Sequence, residues 1–148
     1  MPNEQIQFTT RVLGPATAHR LEKHQVTQTL RSDSSSITAS ILNGRVSAGD
    51  RLEVVLDGIV VGFAELVSMD AVTWEALGID DARRGGFDNR FELAYALRRA
   101  GYRFKPLDQY DLFRIQFTWL EEAGRGFEST PRYQKYCRGD GNGKQTRS

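Results

Sequence analysis

Arg51-Leu52-Glu53-Val54-Val55-Leu56-Asp57-Gly58-Ile59-Val60-Val61-Gly62-Phe63-Ala64-Glu65-Leu66-Val67 carries the clearest structural signal in the sequence. Two runs rich in β-branched and apolar residues flank an Asp-Gly pair. That pair tolerates the positive φ of a two-residue turn, so the stretch predicts a β-hairpin. Upstream, Ser47-Ala48-Gly49-Asp50 and Asn43-Gly44 are turn signals, and Ile37–Leu42 before them reads as a weaker strand. Asp33-Ser34-Ser35-Ser36 is a polar turn. Before it, Val26, Gln28 and Leu30 fall on one face of a short strand, with Thr27, Thr29 and Arg31 on the other. Pro15–His24 is a helix candidate with Ala16, Ala18 and Leu21 facing inward, and Gly14-Pro15 separates it from a first strand carrying Ile6, Phe8, Thr10 and Val12.

Downstream of the hairpin the periodicity turns helical. Thr73 caps a short segment through Leu77, Asp80 caps another through Arg84, and Asp88 caps the main helix, Asn89 to Ala100, closed by Gly101. A helical wheel places Phe87, Phe91, Ala94, Tyr95 and Leu97 in a buried arc and Asn89, Glu92, Ala96 and Arg99 opposite, with Arg90 and Arg98 at the rim. The last regular element is Tyr110–Leu120, a strand whose Phe113, Ile115, Phe117 and Trp119 face the core. Trp74 and Trp119 are both assigned to packing. Strand, helix, several strands, helices and a long strand add up to an α+β chain: a small, mostly antiparallel β-barrel with helices packed outside.

From Glu121 on the apolar periodicity is lost, which divides the chain into a barrel domain, 1–120, and a basic C-terminal tail, 121–148, expected to be flexible. At 148 residues the chain is long enough for one self-sufficient core. No apolar run approaches the roughly 20 residues of a membrane span, and the N-terminus lacks the pattern of a signal peptide, so a cytoplasmic location and no membrane partner are expected. The single Cys137 excludes an internal disulfide framework; His19 and His24, without a Cys or acidic cluster, make no metal site. No cofactor is expected, and the oligomeric state stays open.

The net charge of +1 conceals an uneven distribution. Residues 83–105 hold seven basic residues (Arg83, Arg84, Arg90, Arg98, Arg99, Arg103, Lys105) against Asp88 and Glu92, and residues 129–148 hold five against Asp140. Two basic blocks on an otherwise acidic chain favour a polyanionic partner, although a charge run is also what a solvated face looks like. The Thr27/Thr29/Arg31 row offers two hydroxyls and a guanidinium about 7 Å apart along one strand, donors that suit a phosphate, a carboxylate or a base edge. In the tail, Tyr133 and Tyr136 interleave with Arg132, Lys135 and Arg138, a pattern for stacking on unpaired bases or for an ordinary solvated tail.

Over roughly residues 5–120 the chain resembles the ASCH domain family, a variant of the PUA-like β-barrel. Three features carry the likeness in order. Thr27-Gln28-Thr29-Leu30-Arg31 is similar to the end of the family's G-x-K-x-x-T-x-R motif. Gly49-Asp50 introduces the central hairpin. Gly86-Phe87, then Glu92-Leu93, precede a closing strand containing Phe117. The resemblance implies a cleft beside the barrel lined by the Thr/Arg segment and suited to RNA or a nucleoside. Some relatives are implied RNA binders. Others are implied hydrolases of an acylated cytidine, or ribonucleases, with a motif lysine as a catalytic group.

At that lysine position this chain has Val26, with Lys23 three residues earlier, and where hydrolytic relatives carry a carboxylate it has Arg83-Arg84-Gly85-Gly86, with Asp80 and Asp81 nearby. The expectation is therefore an RNA-binding protein using Lys23, Thr27, Thr29, Arg31, Arg83, Arg84, Arg98 and Arg99. The competing expectation is a nucleoside amidohydrolase or ribonuclease, for which Lys23, Thr29 and Asp81 (with Asp80 as its neighbour) are the candidate catalytic groups.

Overall fold

The computed structural model describes residues 4–103 and 105–121. The hairpin forms where the sequence places it. β3 (Arg51–Leu56) and β4 (Ile59–Val72) pair antiparallel around Asp57 and Gly58, whose φ angles of 52° and 83° are those of a type I′ turn. β1 (Glu4–Phe8) lies parallel to β3, β5 (Leu112–Leu120) antiparallel to β4, and β2 (Gln28–Ser32) antiparallel to β5. The sheet order is β1-β3-β4-β5-β2. Bulges at Val54/Val55 and between Leu66 and Ser68 accompany the curl of this mixed sheet into a half-barrel. Its two free edges, β1 and β2, come within hydrogen-bonding reach: Arg31 Nη2 donates to the Gln7 carbonyl at 2.6 Å.

Among the described residues there are five helices, α1 (Thr10–Leu13), α2 (Pro15–Glu22), α3 (Ser36–Leu42), α4 (Ile79–Arg84) and α5 (Arg90–Arg99), with short 3-10 turns at Trp74–Ala76 and Leu107–Gln109. Several differ from the sequence expectation for identifiable reasons. The first strand stops at Phe8 rather than continuing through Val12. Thr9 Oγ1 accepts from the Val12 N–H, and the Asp57 carboxylate accepts from both the backbone N–H and the hydroxyl of Thr10, so the hairpin turn pins a helical start. Ile37–Leu42 is helix, not strand. Six residues are too few to separate a period of 2 from one of 3.6, and with Ile37 and Thr38 buried and Ile41 partly so the helical face wins.

The caps also shift by one position. Asn89, not Asp88, caps α5, its Oδ1 accepting from the Glu92 N–H, while Asp88 pairs with Arg20 at 3.0 Å. α4 begins at Ile79, and Asp81 rather than Asp80 ties down its start by accepting from the Gly78 N–H. The α5 wheel is rotated from the expected one. Leu93, Ala96 and Leu97 are buried, whereas Phe91 is 76% exposed and Tyr95 58% exposed.

Two apolar clusters result among the described residues. One fills the half-barrel with Ile6, Leu21, Val26, Leu52, Val54, Ile115 and Phe117. The other lies under α5 and joins Leu30, Leu77, Phe87, Leu93 and Leu97. Leu13 touches both. Gly86 allows the junction to close: its φ is 90°, and a Cβ there would stand 2.7 Å from Val26 Cγ2 and 2.9 Å from Thr17 Cγ2. Among the described residues no helix is long and apolar enough to cross a membrane. The 122–148 stretch, with its tyrosine and basic residues, lies outside the described residues.

Candidate functional site

β2 is an edge strand with both faces occupied. Its register with β5 sets Gln28 opposite Gln116, Thr29 opposite Ile115, Leu30 opposite Arg114 and Arg31 opposite Phe113. Residues opposite each other share a face. Thr29 and Arg31 therefore point to the same side as Ile115 and Phe113, toward the half-barrel, and Gln28 and Leu30 to the side covered by α4 and α5.

Arg31 spans the seam between the sheet edges. Its Nη2 donates to Gln7 O, its Nε donates to Thr29 Oγ1 at 3.1 Å, and its guanidinium carbon stands 4.8 Å from the centre of the Phe8 ring. Every one of these partners is neutral. Among the described residues no carboxylate lies within ion-pair distance of Arg31. Burial pulls its guanidinium down to about 10, against the electrostatic effect of Tyr102 in the other direction, so it remains a cation at neutral pH.

A cavity of about 300 Å³ opens beside this group, at the junction of the two apolar clusters. Phe8, Leu13, Leu30, Phe87 and Leu97 supply an apolar lining, and Thr9, Gln28, Thr29, Arg31, Ser32 and Asp81 supply polar groups. Tyr102 lines it as well, held edge-on against Tyr110 at 4.8 Å. Apolar walls with a few directed polar groups are the usual make-up of a small-ligand site.

Across β2 from Arg31 the polar chemistry is of a different kind. Gln28 is only 1% exposed, and its carbonyl oxygen accepts from Arg84 Nε and Gln116 Nε2, both at 3.0 Å. Its amide nitrogen donates to Asp81 Oδ1 at 3.1 Å. The same oxygen accepts from Arg84 Nη2 at 2.9 Å and Arg114 Nη1 at 3.0 Å, while Asp81 Oδ2 takes the Gly78 N–H. Burial alone would raise the Asp81 carboxyl, but the donors from Gly78, Gln28, Arg114 and Arg84 outweigh it and hold it down at about 2. Arg114 also grips Asp70 with two nitrogens, at 2.7 and 3.1 Å, and this contact holds its guanidinium above its ordinary value.

The structure brings Thr29, Arg31 and Asp81 to one cavity and leaves the other sequence candidates outside it. Lys23 is exposed at the end of α2. Between it and β2 the chain reverses through His24, which has a φ of 62°, stacks on Trp119 at 3.9 Å and contacts Val61 O through Nε2. Val26, at the motif's lysine position, is in the core, and its carbonyl accepts from Trp119 Nε1. Thr27 serves the sheet through its backbone, which bonds Arg84 O and the Phe117 N–H. Arg84 is held by Gln28 and Asp81, and Arg83 is exposed on α4. Arg98 donates to the carbonyls of Tyr102 and Lys105, and Arg99 to that of Val12. The sequence reading missed Gln7, Phe8, Gln116, Arg114 and Tyr102. A glutamine between Val26 and Leu30 on an otherwise apolar face was the one available signal of the buried network.

The sheet and cavity define the molecule as an α+β half-barrel with a ligand-sized opening at its seam. No family model matches the sequence, and no curated protein matches it. Among solved structures the chain is similar to an ASCH domain from Lactobacillus crispatus, with 14% identity over 70% of this chain and 69% of that one and a TM-score of 0.55. It is also similar to a DUF984 protein from Enterococcus faecalis, with 15% identity over 81% and 82% of the two chains and a TM-score of 0.57. The chain therefore has an ASCH-like α+β fold, as its motifs led one to expect.

Proposed function

We propose that this protein binds RNA, taking one nucleotide of a single strand into the cavity between β2 and α5. The observation that best supports the reading is Arg31, a cation at the cavity wall held in place by neutral acceptors, with no carboxylate among the described residues to neutralise it. Such a group is short of the anionic partner that desolvation makes valuable, and a phosphate or an acceptor-rich base edge supplies it. The apolar lining from Phe8, Leu30 and Phe87 suits the faces of a base, and the hydroxyls of Thr29 and Ser32 suit its edge. Arg83, Arg98 and Arg99 add positive charge that steers a polyanion, and Lys23 extends it along α2. Binding of RNA is also what the ASCH resemblance implies.

Hydrolysis of an acylated cytidine, or cleavage of RNA, has less support. Asp81 Oδ1 already accepts from three donors and the carboxyl is held at about 2, so it is a poor proton acceptor at neutral pH. Lys23 does not line the cavity.

Fluorescence anisotropy with a labelled single-stranded RNA tests the proposal. The expected result is saturable binding whose log affinity falls against log salt with a slope of about 0.7 per phosphate neutralised. No binding at about 50 mM salt, or binding indifferent to salt, overturns it.

A further inference from the structure

α5 has two working faces. Leu93, Ala96 and Leu97 face inward and line the cavity. On the opposite side the helical repeat brings Phe91, Tyr95, Arg98 and Arg99 together over little more than two turns. Both aromatic rings are largely in solvent. A phenylalanine 76% exposed on a helix gains little for folding. Phe91 and Tyr95 are separated by about 6 Å along the axis, nearly twice the ~3.4 Å repeat of stacked bases. One base can slot between the two rings, or two splayed bases can each cover one.

The charge around the rings indicates which occupant fits. Arg98 and Arg99 anchor their guanidinium groups on backbone carbonyls, those of Tyr102 and Lys105 for the first and Val12 for the second. Neither meets a carboxylate within ion-pair distance among the described residues. Glu92 is the acid on the shoulder of this face, and nearby Asp88 is already paired with Arg20. A second copy presenting the same face would set these arginines against their own like, whereas a single strand supplies phosphates to the cations and bases to the rings.

We propose that the outer face of α5, through Phe91 and Tyr95 flanked by Arg98 and Arg99, is a stacking platform for unpaired RNA bases next to the nucleotide held in the cavity. This inference rests on the RNA-binding reading above and extends it from one nucleotide to a short single strand. Because α5 is the wall between cavity and platform, a strand leaving the cavity meets the rings by crossing the rim of one helix.

The test uses the full chain with two probes, uridine monophosphate and a labelled single-stranded oligouridylate. The wild-type protein is expected to bind the oligomer more tightly than the monophosphate. Phe91→Ala and Tyr95→Ala are each expected to weaken oligomer binding about tenfold and to leave monophosphate binding unchanged, while Tyr95→Phe keeps wild-type affinity because it keeps the ring. Both exposed positions accept alanine without loss of fold, which circular dichroism verifies.

Oligomer binding unaltered in both alanine variants overturns the platform. So does a Tyr95→Phe variant as weak as Tyr95→Ala, and so does a dimer at working concentration that the two variants disperse, which would make a second copy the occupant. Arg31→Ala separates this idea from the cavity reading. If it weakens both probes while the ring variants do nothing, the cavity stands and the platform falls. If it changes neither probe while the ring variants weaken the oligomer, the reverse holds. No binding of either probe by the wild-type protein overturns both.

Discussion

Arg31 and Arg114 stand on paired strands one register step apart, facing opposite sides of the same sheet. Arg114 has two carboxylates, Asp70 and Asp81, and a further amide network beyond them. Arg31 has a carbonyl, a hydroxyl and the face of a phenyl ring. The first arginine is compensated by the fold, and removing it leaves a nearly buried carboxylate short of a counter-charge. The second satisfies part of its hydrogen-bonding capacity and little of its charge, beside an open cavity. A compensated guanidinium serves stability; an uncompensated one is a standing demand for an anion.

The most damaging change is expected on the compensated side. Arg114→Ala should lower stability by about 3 kcal/mol in chemical denaturation, because buried Asp81 keeps only Arg84 as a cation and Asp70 loses the guanidinium that grips it. A variant of wild-type stability that had lost RNA binding would break the contrast between the two arginines. Next in size is acid unfolding. The folded Asp81 carboxyl, at about 2, lies below its ordinary 3.8, so its contribution is complete above pH 3.8 and lost as pH falls through 2. That contribution is about 2 kcal/mol and should appear as a steep loss of stability in this window, flattened by Asp81→Asn.

On the other side of the sheet the effects shift from folding to binding. Arg31→Ala should weaken RNA binding about tenfold, near 1.4 kcal/mol, at a stability cost under about 1 kcal/mol. Equal losses in both quantities would make Arg31 a second structural arginine. Thr29→Val is the mildest test. It keeps the shape but removes the oxygen that orients Arg31 Nε, and should reduce affinity about twofold to threefold, or roughly 0.5 kcal/mol, by titration.

The half-barrel was legible where local pattern and turn chemistry agreed. Asp57-Gly58 announced the turn, and the alternation of Ile115 and Phe117 announced a buried face, because both signals lie within a few residues. The helical half was less legible. On α5 the aromatic residues Phe91 and Tyr95 carried more weight in the wheel than the smaller Leu93 and Ala96. Yet the buried side is set by what α1, α4 and β2 present to it, and that side accepts Leu93, Ala96 and Leu97. α1 was hidden in the same way: Thr10 and Val12 continue an alternation that a carboxylate from the distant hairpin turn interrupts.

For the candidate site, the row of Thr29 and Arg31 could be read from a period of two. Local pattern alone was enough for the hairpin, the strand that carries this row, the basic stretch around α5 and the absence of a lysine at Val26. Packing of distant segments was needed to bring Gln28 to Gln116 across 88 residues, to send both Asp81 and Asp70 to Arg114, and to leave Arg31 without an acid among the described residues. Periodicity encodes which face a side chain takes, since that depends on neighbours a few residues away. Compensation of a charge depends on strand register and on which helix lies across the sheet, and those are settled only when distant segments pack.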